Sequence, residues 1–110
     1  MAADIETINT VIQQYIADVK KAMPIDKVYI YGSYAKGTQQ ENSDVDICFF
    51  SQAFESRRNF DVLTELFYLK IKYDKELLIE PRAFPISELY NENPFVKEIL
   101  LTGQEIAIPA

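Results

Sequence analysis

Hydrophobic residues recur at steps of three and four through Ile5, Ile8, Val11, Ile12, Tyr15, Ile16 and Val19, with polar residues between them. That spacing predicts an amphipathic helix over residues 4–22, which Pro24 brings to a stop. Lys27–Tyr31 (KVYIY) is β-branched and aromatic and predicts a buried strand. It runs straight into Gly32-Ser33, where Ser33 can cap a short helical turn over 34–36 that Gly37 closes. A polar loop follows over 38–43, then a second strand over 44–50 (DVDICFF). Phe60, Leu63, Leu66, Phe67 and Ile71 keep helical spacing and predict a second long helix over 57–72. Residues 76–84 (ELLIEPRAF) read as a third strand, and Pro81 inside it argues for an edge position. Asn93 and Pro94 open a last helix as cap and first turn, with Phe95, Val96, Ile99 and Leu100 as its apolar face and Gly103 as its stop. Ile106 and Ile108 suit a short final strand.

The order helix, strand, strand, helix, strand, helix predicts an α+β fold, one small mixed sheet packed against helices. No repeat, linker or second domain divides residues 1–110. Composition agrees: 110 residues, 48% hydrophobic and 25% charged, suit one soluble globular domain with a single core. No apolar run approaches the roughly 20 residues that cross a bilayer. Asp4 and Glu6 stand where a signal peptide carries positive charge, so the chain is expected to be cytoplasmic.

Two counts narrow the chemistry. The chain has no histidine, which excludes histidine bases, triads and metal ligands, and one cysteine, Cys48, which excludes intrachain disulfides and thiolate zinc clusters. Catalysis must then use carboxylates, hydroxyls, lysines or backbone groups, and a metal must be an oxygen-liking ion such as magnesium. A net charge of −6 with scattered basic residues disfavours a long nucleic-acid partner.

Gly32 and Gly37, two of three glycines, lie within six residues of each other. At a strand-to-helix turn, free backbone N–H groups and the helix dipole suit an anion, and glycine allows close approach. The same residues also fit a plain turn. Asp44 and Asp46 lie at i and i+2 on the second strand, which puts both carboxylates on one face with Cα atoms roughly 6.5 Å apart. Val45, Ile47 and Phe49 take the other face. Such a pair repels itself unless a cation joins it, and a divalent ion does so naturally. The pair alone carries little weight, because about 2.6 acid-x-acid pairs are expected by chance in a chain this acidic. Its setting carries more: Gly32-Ser33 ends one strand, and after a ten-residue connection Asp44-Val45-Asp46 opens the next.

Gly32-Ser33-Tyr34-Ala35-Lys36-Gly37 followed by Ser43-Asp44-Val45-Asp46-Ile47 resembles the motif of the polymerase-β-like nucleotidyltransferases, and most closely their smallest prokaryotic branch, the minimal nucleotidyltransferases. The leading helix, an acid on the third strand and the run from Asn93-Pro94-Phe95 to Gly103 extend the likeness over most of the chain. The resemblance implies a nucleotidyltransferase fold, with a nucleoside triphosphate, ATP foremost, bound over Gly32, Ser33 and Lys36. It implies Mg2+ held by Asp44, Asp46 and a third carboxylate, for which Glu80 is the candidate, and transfer of a nucleoside monophosphate to a hydroxyl. Branch members often work beside a small helical partner protein in toxin–antitoxin pairs and silence the toxin by adenylylation. Glu80 departs from the usual aspartate and Lys36 from the frequent arginine. An alternative is therefore a catalytically weak nucleotide-binding antitoxin that acts by binding alone.

Other residues have simpler readings. Cys48 suits the core, Tyr29 and Tyr31 suit packing more than stacking on a base, and Arg57-Arg58 suit a solvated helix start.

Overall fold

The structure is a computed structural model that describes residues 5–32 and 44–109. The first helix, α1 (Ile5–Ala22), forms as its spacing predicts, with Glu6 in the first turn and Lys20 and Lys21 in the last, matching the helix dipole. Then come β1 (Lys27–Tyr31), β2 (Val45–Ser51), α2 (Asn59–Lys70), β3 (Ile79–Pro85), α3 (Pro94–Thr102) and β4 (Gln104–Ile106). Short 3-10 turns at Gln52–Ser56, Ile71–Tyr73 and Ile86–Leu89 connect them.

The strands form one mixed sheet in the order β3-β2-β1-β4. β1 pairs antiparallel with both β2 and β4, whereas β2 and β3 run parallel. One face carries Val28, Ile30, Val45, Ile47, Phe49 and Ile79 against α1 and α2. The other carries Cys48 and Phe50 against Val96 and Ile99 of α3, with Tyr29, Tyr31 and Phe84 beside them. Cys48 is thus a buried, free thiol within that second core, and burial pushes its pKa up. The strict alternation along β2 sends Asp46 to the α3 face.

Caps behave as their chemistry requires. Asn93 Oδ1 accepts from the N–H groups of Phe95 (3.0 Å) and Val96 (3.3 Å), and Pro94 fills the first helical position. Gly103 ends α3 where a Cβ would stand 2.5 Å from the carbonyl oxygen of Ile99 and 2.9 Å from that of Ile30. Glycine there lets the helix close onto β1.

Four boundaries differ from the sequence reading. β3 begins at Ile79 rather than at residue 76, because the N–H groups of Glu76 and Leu77 bond back to Tyr73 O and close a turn. Pairing starts only where Leu78 O accepts from Val45 N–H at 2.9 Å. β3 does lie at the edge, with Pro81 opposite Ile47. α2 is shorter than 57–72, since Arg57 and Arg58 are extended and Ile71–Tyr73 tightens to 3-10 geometry. α2 buries Val62 and Leu66, while Phe60, Phe67 and Ile71, whose spacing signalled the helix, are 72%, 41% and 59% exposed. The last strand starts directly after Gly103 rather than at Ile106.

Candidate functional site

Asp46 is the hinge of the site. It lies opposite Tyr31, the last residue of β1, and opposite Glu80 in the parallel pairing of β2 with β3. β1 therefore delivers Gly32 to one side of Asp46, and β3 delivers Glu80 to the other. Gly32 has φ +74°, left-handed backbone that favours glycine, and a Cβ added there would run into Asp46 Oδ2. The carboxylate consequently rests directly on the glycine backbone. Asp44, one residue before β2, is exposed at its mouth, whereas Asp46 and Glu80 are half-buried.

The electrostatics follow from this crowding. Partial burial raises the Asp46 carboxyl above its usual pKa, and the charges of Glu80 and Asp44 raise it further; Arg82 opposes them. Glu80, expected beside the acidic pair, does face it. Glu76, four residues earlier, sits in the turn before the strand. Ser33 and Lys36, expected at the nucleotide, and the turn over 34–36 that Gly37 was expected to close lie outside the described residues.

An oxygen-only set of carboxylates whose mutual repulsion calls for a cation fits magnesium in kind and charge. Among the described residues, no three acids converge into a ready-made metal cage. Asp46 and Glu80 lie opposite each other on adjacent strands, and Asp44 flanks them one residue before β2.

Two neighbours of the site had no role in the sequence reading. Arg82 follows Glu80 by two residues on the same face, and Phe95 of α3 lies under its guanidinium, 5.6 Å from ring centre to Cζ. Alternation placed Arg82 with Glu80, but nothing in the sequence brought Phe95 to it. No helix among the described residues is long and apolar enough to cross a membrane.

Comparison with known proteins agrees with this geometry. The family model for the nucleotidyltransferase domain matches residues 12–103. A Methanocaldococcus jannaschii protein named "Putative protein adenylyltransferase" is 28% identical over 94% of this chain and 73% of its own. The crystal structure of a "putative nucleotidyltransferase" from Sulfolobus solfataricus superposes with a TM-score of 0.60 at 20% identity, covering 80% of this chain and 81% of the other. A toxin–antitoxin structure with AMP-PNP gives 0.60 at 22% identity, over 88% of this chain and 73% of the other. At these identities the structural likeness is one of fold.

Proposed function

Because this chain belongs to the nucleotidyltransferase-domain family, we propose that it moves a nucleoside monophosphate, AMP from ATP, to a hydroxyl of a partner protein. The partner is a small helical protein, and the pair forms a toxin–antitoxin module in which this chain is the antitoxin. The observation that carries the reading is Asp46 held between Gly32 and Glu80 on adjacent strands. The triphosphate lies over Gly32, Ser33 and Lys36. Magnesium, held by Asp44, Asp46 and Glu80, supplies charge neutralisation at the phosphates when bound. The acceptor oxygen attacks the α-phosphorus, the bond to the bridging oxygen breaks, and pyrophosphate leaves with that electron pair. Glu80 takes the acceptor's proton, a short transfer to a group already on the face where the reaction occurs.

The name of the M. jannaschii relative and the toxin–antitoxin neighbours support the choice of a protein acceptor. One observation favours a second reading, binding without transfer: the three acids are not gathered into a cage among the described residues. Incubation with labelled ATP, magnesium and the product of the neighbouring reading frame separates the two. Label on the partner supports transfer. A stable complex that never takes up label sinks it in favour of the binding module.

A further inference from the structure

Arg82 stands opposite Cys48 in the β2–β3 register, on the face shared by Asp46 and Glu80. Three elements fix its position. β3 carries its backbone. Phe95, in the first turn of α3, offers the ring over which its guanidinium sits. Tyr31, at the end of β1, braces that ring: it meets Phe95 edge-on at 5.7 Å, and its phenol lies within electrostatic reach of Arg82.

A long, exposed arginine is normally free to wander, and ordering it costs rotamer entropy. Here the guanidinium sits over the Phe95 ring, itself braced by Tyr31, rather than on a carboxylate. Among the described residues it forms no close ion pair, although it lies within electrostatic reach of Asp46. Its planar fork of donors is thus aimed and largely unspent, beside the carboxylates of a phosphate-handling site.

We propose that Arg82 is a substrate-binding residue, held by Phe95 and Tyr31 beside Asp46 to receive a phosphate oxygen of the nucleotide. It rests on the nucleotidyltransferase reading in that the ligand is a nucleoside triphosphate. Arg82 opposes the charge that Glu80 and Asp44 place beside Asp46. With a cation on those carboxylates, the guanidinium would have its donors left for the phosphate chain.

The two ligands should then respond differently to its loss. Arg82→Met removes a positive charge next to a cation site, so Mn2+ alone, titrated into the full chain, should bind as tightly as before or a few-fold tighter. ATP binding in the presence of magnesium should weaken roughly tenfold or more, the worth of a charge-assisted hydrogen bond. Arg82→Lys should recover part of that loss as a point charge without the fork. Retained ATP affinity in Arg82→Met would overturn the proposal. So would a parallel loss of Mn2+ and ATP binding, which marks a residue needed only for the shape of the site. These readouts are of binding, so a wild-type chain that binds ATP but transfers nothing sinks the transferase reading and leaves this proposal standing.

Discussion

The carboxylate of Asp46 lies where the β-carbon of any other residue at position 32 would have to be. Gly32 is therefore required twice, by its φ of +74° and by its neighbour's oxygen.

Gly32→Ala separates from an ordinary turn substitution on this ground. The left-handed backbone alone costs about 1–2 kcal/mol for a residue with a Cβ. The added methyl also pushes Asp46 off its position, and a displacement near 1 Å at a reacting centre costs on the order of 10²-fold in rate. Thermal unfolding and initial transfer rates measure the two effects. A folded variant that transfers at the wild-type rate would show that the placement of Asp46 does not matter.

The raised pKa of Asp46 has a consequence for stability without metal. Burial comes first among its causes, then the charges of Glu80 and Asp44. Between the ordinary carboxylate value of 3.8 and the raised one, the folded chain keeps a proton that the unfolded chain releases. Stability contributed by the protonated group is present below that window and lost as pH rises through it. In EDTA, Asp46→Asn should consequently melt above wild type at neutral pH, and the advantage should vanish near pH 4, about where free carboxylates protonate. Added magnesium should reverse the order by binding wild type alone. A variant that melts below wild type in EDTA at neutral pH would contradict the crowding argument.

Glu80 and Glu76 offer a matched pair of tests. Glu80 faces Asp46 in the β3 register, while Glu76 lies in the turn that precedes the strand. Glu80→Gln should keep ATP affinity within a few-fold, because the phosphates rest chiefly on the glycine turn, and lose about 10²-fold or more in transfer rate. Glu76→Gln should change neither. Normal transfer by Glu80→Gln would remove the third carboxylate from the mechanism and strengthen the reading as a binding module.

Periodicity made the helices and strands legible because each buries one continuous set of positions. Val45, Ile47 and Phe49 could be assigned to one face by alternation alone, and they share one core. Asp46 and Glu80 were expected on neighbouring strands, and the register bears that out. α2 misled for a physical reason. Phe60, Val62, Leu63, Leu66, Phe67, Tyr68 and Ile71 make it apolar on more than one stripe, so spacing identifies a helix without choosing its buried face. The start of β3 was hidden by Glu76 and Leu77, which read as strand but whose N–H groups bond back to Tyr73 O in a turn that only backbone bonding reveals. The meeting of Arg82 with Phe95 depends on α3 crossing the sheet, a tertiary event with no local pattern.

The link between α1 and α2 gives a last prediction. Tyr15 is fully buried, and its hydroxyl donates to Leu66 O at 2.8 Å. Its ring meets Phe49 and Tyr73 edge-on at 5.8 and 6.1 Å, so the side chain ties both helices to the sheet. Tyr15→Phe keeps the ring contacts and removes only the hydroxyl, which should cost about 1 kcal/mol, or roughly 4–8 °C in melting temperature for a chain of this size. The larger signature is alkaline. Burial raises the Tyr15 phenol well above its ordinary 10.0, so at higher pH the unfolded chain gives up a proton that the folded one retains. Stability is complete below pH 10.0 and falls as pH climbs beyond it, by up to about 1.4 kcal/mol per pH unit for one group. Tyr31, pushed up to about 12 chiefly by burial, adds to the same decline. Tyr15→Phe should make the fall between about pH 10 and 11.5 shallower while lowering stability at neutral pH, so the two melting curves converge. Parallel curves over that range would mean that the Tyr15 hydroxyl does not carry the alkaline loss.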